Sequence, residues 1–217
     1  IVSKTLKQNE LIIFKHKEKL NANVPSSSPY WLNEKHGVGM YTVKEEQLIG
    51  MPENESTAKV TFDVTVLDLN LKIERGITYK LTDPVKGEVY RPFEILPPAT
   101  INISDKVFVF SSEISKDIQL TVKANASNVN GKVFEKVTDG WSITIKNPEF
   151  KLAAKGDETL IDATITPGKN SAEGRLQASV IINETNYTKS IRRIEYDHIP
   201  YQFILNDAEA TLVKINL

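Results

Sequence analysis

Histidine, carboxylate, hydroxyl and aromatic side chains are the groups in this chain that could do chemistry, and their spacing argues against most of it. The three histidines, His16, His36 and His198, lie 20 and 162 positions apart. A hydrolytic zinc site draws two histidines from one helical turn or short loop and adds a carboxylate. No HxxH or HExxH pattern occurs, so all three are read as surface or packing residues. A serine nucleophile sits on a strained turn, commonly GxSxG. That pattern is absent too, and Ser26, Ser27 and Ser28 fall in a proline-flanked polar loop where serine serves as a turn former. There is no cysteine, which removes thiolate chemistry, disulfides and cysteine-ligated zinc. Phosphate-binding and dinucleotide-binding glycine patterns are missing as well. A carboxylate pair is set by distance in space rather than in sequence, so a carboxylate-pair hydrolase stands as a third reading. No catalytic, cofactor-binding or metal-binding residue is assigned.

The aromatic residues leave more open. Tyr30 and Trp31 follow the polar loop 21–29 and precede a glycine-rich stretch that ends on Tyr41. Exposed rings of this kind stack on sugars, so Tyr30, Trp31 and Tyr41 are the candidate ligand-binding residues. The competing expectation is that Trp31 plugs the end of a sandwich, because burying a ring of that size contributes several kcal/mol at about 25 cal/mol per Å2. Trp141 follows Asp139–Gly140 and opens WSITI, on the face of Ile143 and Ile145. It is expected in the core.

The elements that must position these rings are strands. Between positions 59 and 73, Val60, Phe62, Val64 and Val66 alternate with polar residues. The parity then shifts to Leu67, Leu69, Leu71 and Ile73, which predicts a turn or bulge near Asp68. Further strands are expected near Leu6 and over 11–14, 58–66, 69–73 and 78–81. Beyond Pro98 they are expected over 99–103, 107–110, 117–124, 131–134, 141–145, 159–166, 174–182, 188–194 and 210–215. Asn130–Gly131, Asp139–Gly140, Asn147–Pro148, Gly156 and Pro167–Gly168 are read as turns. Only 41–50 has helical composition. Short strands with a turn every ten residues or so predict an all-β chain of two tandem immunoglobulin- or fibronectin III-like sandwiches. The stiff stretch 82–98, with prolines at 84, 92, 97 and 98, divides them into domains 1–97 and 98–217.

The 217 residues carry 27 basic and 28 acidic side chains, scattered along the chain. Neither nucleic acid nor a membrane surface is expected as a partner on that balance. No apolar run approaches the roughly 18 residues of a spanning helix. With Ile rather than Met at position 1, the chain is expected to be a segment of a longer protein.

Three segments together resemble one family: 30–41 (YWLNEKHGVGMY) with 48–52 (LIGMP), 79–92 (YKLTDPVKGEVYRP) and 194–202 (IEYDHIPYQ). They are similar to the C-terminal region of large bacterial PIG-L (LmbE-like) N-acetylglucosaminyl deacetylases. Residues 140–174 also resemble a NEW3-type accessory domain of glycoside-active enzymes. The resemblance implies a zinc-dependent catalytic domain elsewhere in the full-length chain, which would be the partner of this region, and a secreted or cell-envelope (periplasmic) location. The family's Ala-His-Pro-Asp-Asp motif is absent here, so no zinc ligand is carried over. The resulting expectation is a non-catalytic accessory region, with a carbohydrate-binding module that takes up glycans as the alternative.

Overall fold

The computed structural model describes residues 4–5, 7–19, 24–34, 37–170, 172–199 and 201–215. The expected strand near Leu6 and the residue His36 lie outside them. The chain is all-β, with an immunoglobulin-like sandwich as the sequence predicts. Two short 3-10 turns, Tyr30–Leu32 and Glu46–Leu48, interrupt the irregular chain that precedes the strands.

Strands β1 (Lys59–Val66) and β2 (Leu69–Gly76) pair antiparallel across a two-residue turn. The parity shift near Asp68 is that turn, with Leu67 held at φ 55°. Register places Phe62 opposite Ile73, Val64 opposite Leu71 and Val66 opposite Leu69. One face of the ribbon is therefore apolar, and the other carries Thr61, Asp63, Lys72 and Glu74. Strands β3 (Thr78–Asp83) and β4 (Gly87–Pro92) form a second ribbon.

The sandwich follows. Its first sheet joins β5 (Ala99–Ile103), β7 (Lys116–Ala124), β11 (Glu158–Pro167) and β9 (Trp141–Ile145) in that order. The second runs β10 (Glu149–Leu152), β8 (Val129–Val137), β12 (Glu173–Ile182), β16 (Glu209–Lys214) and β6 (Val107–Phe110), with β13 (Thr185–Tyr187) folded back on β12. Asn183 and Glu184, both at positive φ, make the tight turn between β12 and β13. The β6–β16 pair is parallel, whereas the other strand pairs are antiparallel. Period-two burial fills the space between the sheets: Ile118, Leu120 and Val122 from β7 meet Leu176, Ala178 and Val180 from β12 in one cluster. Strands β14 (Lys189–Ile194) and β15 (Gln202–Asp207) form a hairpin beside β5. There the Asn102 side chain stands in for a ladder rung, donating to Ile191 O and accepting from Ile191 N at 3.0 Å each.

Pro97 is buried, and no described residue ahead of it is. The strands of the sandwich fall between Ala99 and Lys214, while those in the described part of 1–97 form the two ribbons. Two-stranded ribbons have no second layer to pack against, and alone they are marginally stable. Three local expectations also change. The stretch 11–14 is not a strand, six residues of the expected stiff connector 82–98 form β4, and Asn130–Gly131 sits inside β8 rather than at a turn.

This division predicts two tiers of stability. Leu71, 41% exposed on the ribbon, can be changed to Ala with a cost within about 0.5 kcal/mol. Leu176→Ala, at a wholly buried position, costs about 2–5 kcal/mol. Urea unfolding of the two variants checks this, and a ribbon variant as damaging as the core one contradicts it.

Candidate functional site at the seam

A cavity of about 420 Å3 lies where the β3–β4 ribbon, the loop around Trp31 and the start of β15 meet. Local chemistry fixes each wall. In the β3–β4 turn, Asp83 Oδ1 accepts the backbone N–H groups of Val85 and Lys86 at 2.8 Å, and Gly87 takes φ 76°. A three-residue loop closed by a left-handed glycine is a common hairpin solution. Those two amide donors, with the charges of Lys86 and Arg91, hold the Asp83 carboxyl below its ordinary value of 3.8.

The ribbon is tied to the sandwich by charge. Lys86 Nζ lies 2.5 Å from Asp197, and Arg91 lies 2.5 Å from Glu195. The Arg91 guanidinium also sits 4.1 Å from the centroid of the Tyr201 ring. The loop wall is fastened separately. Ser27 N–H donates to Ile95 O, and Ile95 N–H donates to Ser27 Oγ, both at 2.8 Å. Asn54 accepts from Tyr30 N–H at 2.8 Å and donates to Ser28 O at 2.6 Å.

The candidate rings divide in this setting. Trp31 is half-buried and lines the cavity. Tyr30 buttresses it edge-on, with centroids 4.9 Å apart, and spends its hydroxyl on Met51 O at 3.0 Å. Tyr41 is 59% exposed and does not line the cavity. Trp141 is in the core, as expected. Tyr90, Arg91, Phe93 and Tyr201 also line it, beside the carboxylates of Glu53, Glu55 and Glu94, and residue-by-residue reading of the sequence did not single them out. The three segments that carry the family resemblance do contain Trp31, Tyr90 with Arg91, and Tyr201, so they converge on this cavity.

The remainder of the lining is rich in hydroxyl and amide groups, from Ser27, Ser28, Ser56, Thr57, Asn54 and Gln202. Ser28 Oγ and Arg91 Nε are buried without a hydrogen-bond partner. Rings interleaved with such groups bind small polar molecules that also present apolar faces. A second concavity, of about 400 Å3, lies on the outer face of the β7–β11–β9 sheet. Its polar groups largely satisfy one another: Thr164 donates to Asp117 at 2.7 Å and Gln119 to Asp162 at 3.3 Å. The seam cavity is the better site on that comparison.

No family model matches the chain, and no curated protein matches it. Among solved structures it is similar to that of WR4, a C. elegans MSP family member. The identity is 12%, the match covers 54% of this chain and 98% of that one, and the TM-score is 0.31.

Among the described residues, no group of three or more His, Asp or Glu comes together to hold a metal ion. His16 pairs with Glu18 on the surface, and the His198 ring lies against Tyr196. No helix among them is long and apolar enough to cross a membrane.

Proposed function

We propose that this chain is a non-catalytic β-sandwich accessory region whose seam cavity holds a saccharide. The cavity itself carries the reading. Half-buried Trp31 and the ring of Tyr201 offer flat apolar surface, and serine, threonine, asparagine and glutamine side chains surround them. A sugar ring presents the matching pair of surfaces, a C–H face for stacking and hydroxyls for hydrogen bonds. The likeness to PIG-L deacetylase tails supplies the setting: a bacterial, secreted or cell-envelope protein in which a zinc-dependent domain of the same full-length chain removes N-acetyl groups from sugars. In that setting the sandwich packs beside the catalytic domain, and the cavity positions a neighbouring part of the glycan.

Tryptophan fluorescence tests this. The chain has two tryptophans, and Trp141 is buried, so a ligand-dependent signal comes from Trp31. Soluble oligosaccharides should give a saturable change that Trp31→Ala abolishes while the unfolding midpoint holds. A flat titration across neutral, acidic and amino sugars sinks the reading. The same chain supplied with zinc should not release acetate from N-acetylated sugars, and turnover would overturn the non-catalytic part.

A further inference from the structure

We infer that the β3–β4 ribbon is an electrostatically latched wall of the seam cavity, which moderate salt releases. Its control over binding rests on the saccharide reading above. The two walls are fastened by different kinds of bond. The loop wall is held by uncharged hydrogen bonds, between Ser27 and Ile95 and between Asn54 and both Tyr30 and Ser28. The ribbon wall shares no strand ladder with the sandwich among the described residues. Side-chain charge ties it there: Lys86 to Asp197, Arg91 to Glu195, and Arg91 over the Tyr201 ring.

Both acidic partners lie in the connection between β14 and β15, which also brings Tyr201 into the lining. The side chains of Lys86, Asp197 and Glu195 are each more than half exposed, so counter-ions reach them. Exposed pairs of this kind are individually weak and are screened by salt. The hydrogen bond between Lys86 and Asp197 holds the carboxyl below its ordinary value and the ammonium above its own. Both groups therefore stay charged throughout the neutral range, which leaves ionic strength as the variable.

Strand β4 carries Tyr90 and Arg91 into the lining, so undocking the ribbon takes them from the ligand. Apparent affinity then falls with the fraction of molecules that remain closed. A neutral sugar bears no charge for salt to screen, yet it should bind less tightly as salt is raised. Leu81 and Val89, half-buried on the Arg91 face of the ribbon, do not respond to salt, so the release is partial.

The experiment reads the position of the ribbon directly. The chain has no cysteine, so two introduced thiols can carry spin labels: Thr82→Cys on the ribbon and Leu160→Cys on β11, both exposed. The labels should report one narrow distance at about 20 mM salt and a second, longer one at about 0.5 M. In Glu195→Gln/Asp197→Asn the longer distance should be present already at low salt. Lys86→Asp should open the ribbon, and adding Asp197→Lys should close it again. Glu158→Gln, which breaks the pair with Lys123 on the sandwich, should behave as the parent chain does. In parallel, the β-1,4-linked glucose tetramer is titrated while Trp31 fluorescence is followed. Its Kd should rise about tenfold over the same salt range, and should stay at the weakened value throughout in Glu195→Gln/Asp197→Asn.

A distance distribution that ignores salt overturns the latch. A salt-dependent distance with a salt-independent Kd overturns its control of the site and leaves the saccharide reading standing. A salt-dependent distance with no sugar bound at either salt, neutral, acidic or amino, removes the saccharide reading and leaves the latch standing. Circular dichroism melts of Glu195→Gln/Asp197→Asn should superimpose on those of the parent chain, which separates loss of the latch from loss of fold.

Discussion

Trp141→Ala should lower the stability of the sandwich by about 3–5 kcal/mol, whereas Trp141→Phe should cost well under half of that. The indole is 6% exposed and packs edge-on against Phe110, with ring centroids 5.1 Å apart. It stands at the start of β9, where Trp141 N–H donates to Thr138 O at 3.1 Å, and it covers β12 at Gly174. A Cβ on Gly174 would come within 2.6 Å of the indole, so the glycine is the flat spot on which the ring rests. Truncation to Ala removes that whole contact and leaves a cavity that neighbouring strands cannot collapse to fill.

The phenylalanine variant differs for a specific reason. Trp141 Nε1 is buried and has no hydrogen-bond partner. Replacing the indole by a phenyl ring deletes an unsatisfied donor along with some apolar area, and the two effects oppose each other. Urea unfolding of both variants measures the difference. Equal losses would mean that the N–H has a partner after all and that shape alone does not explain the site. The Phe variant is also useful for ligand work, since it leaves Trp31 as the remaining tryptophan.

The sandwich was legible because its core strands alternate without interruption. Ile118, Leu120, Val122 and Ala124 on β7, and Ile161, Ala163 and Ile165 on β11, are buried at every second position. Strands β4, β10, β13 and β15 were not predicted. Each is short, between three and six residues, and β4 ends on a proline that resembles a linker residue. Of the site, Trp31 was visible because a ring after a proline-rich loop is a local signal. Its neighbours were not, because Arg91 reaches Glu195 across 104 positions and Lys86 reaches Asp197 across 111. Such convergence depends on pairing that composition and periodicity do not encode. Tyr41 was grouped with Trp31 on nearness in sequence, and it is not part of the cavity lining.

Gly131 is the position where a turn signal in the sequence turned out to be a packing requirement, and Gly131→Ala should destabilise the sandwich by about 3 kcal/mol, the upper part of the range for overpacking. The residue lies within β8, paired with Phe150 of β10 on one side and next to β12 on the other. An added Cβ would sit 2.4 Å from Ile181 O and 3.0 Å from both Ile182 Cγ1 and Phe150 Cζ. The nearest of these is backbone, so a side-chain rotation cannot relieve it. Strand β8 would have to move away from β12 and weaken the adjoining pairs of Lys132 with Ile181 and Val133 with Val180. An alanine in place of a strand glycine ordinarily gains about 0.5–1 kcal/mol through the unfolded chain, too little to reverse that. Gly156→Ala is the control: at φ 98° with nothing within 4 Å, it meets backbone strain but no neighbour. Amide exchange should quicken across β8 and β10 in the Gly131 variant and stay near parental values there in the Gly156 variant. A Gly131 variant as stable as the parent chain would show that the close approach of β8 and β12 is soft and that the glycine is not required by packing.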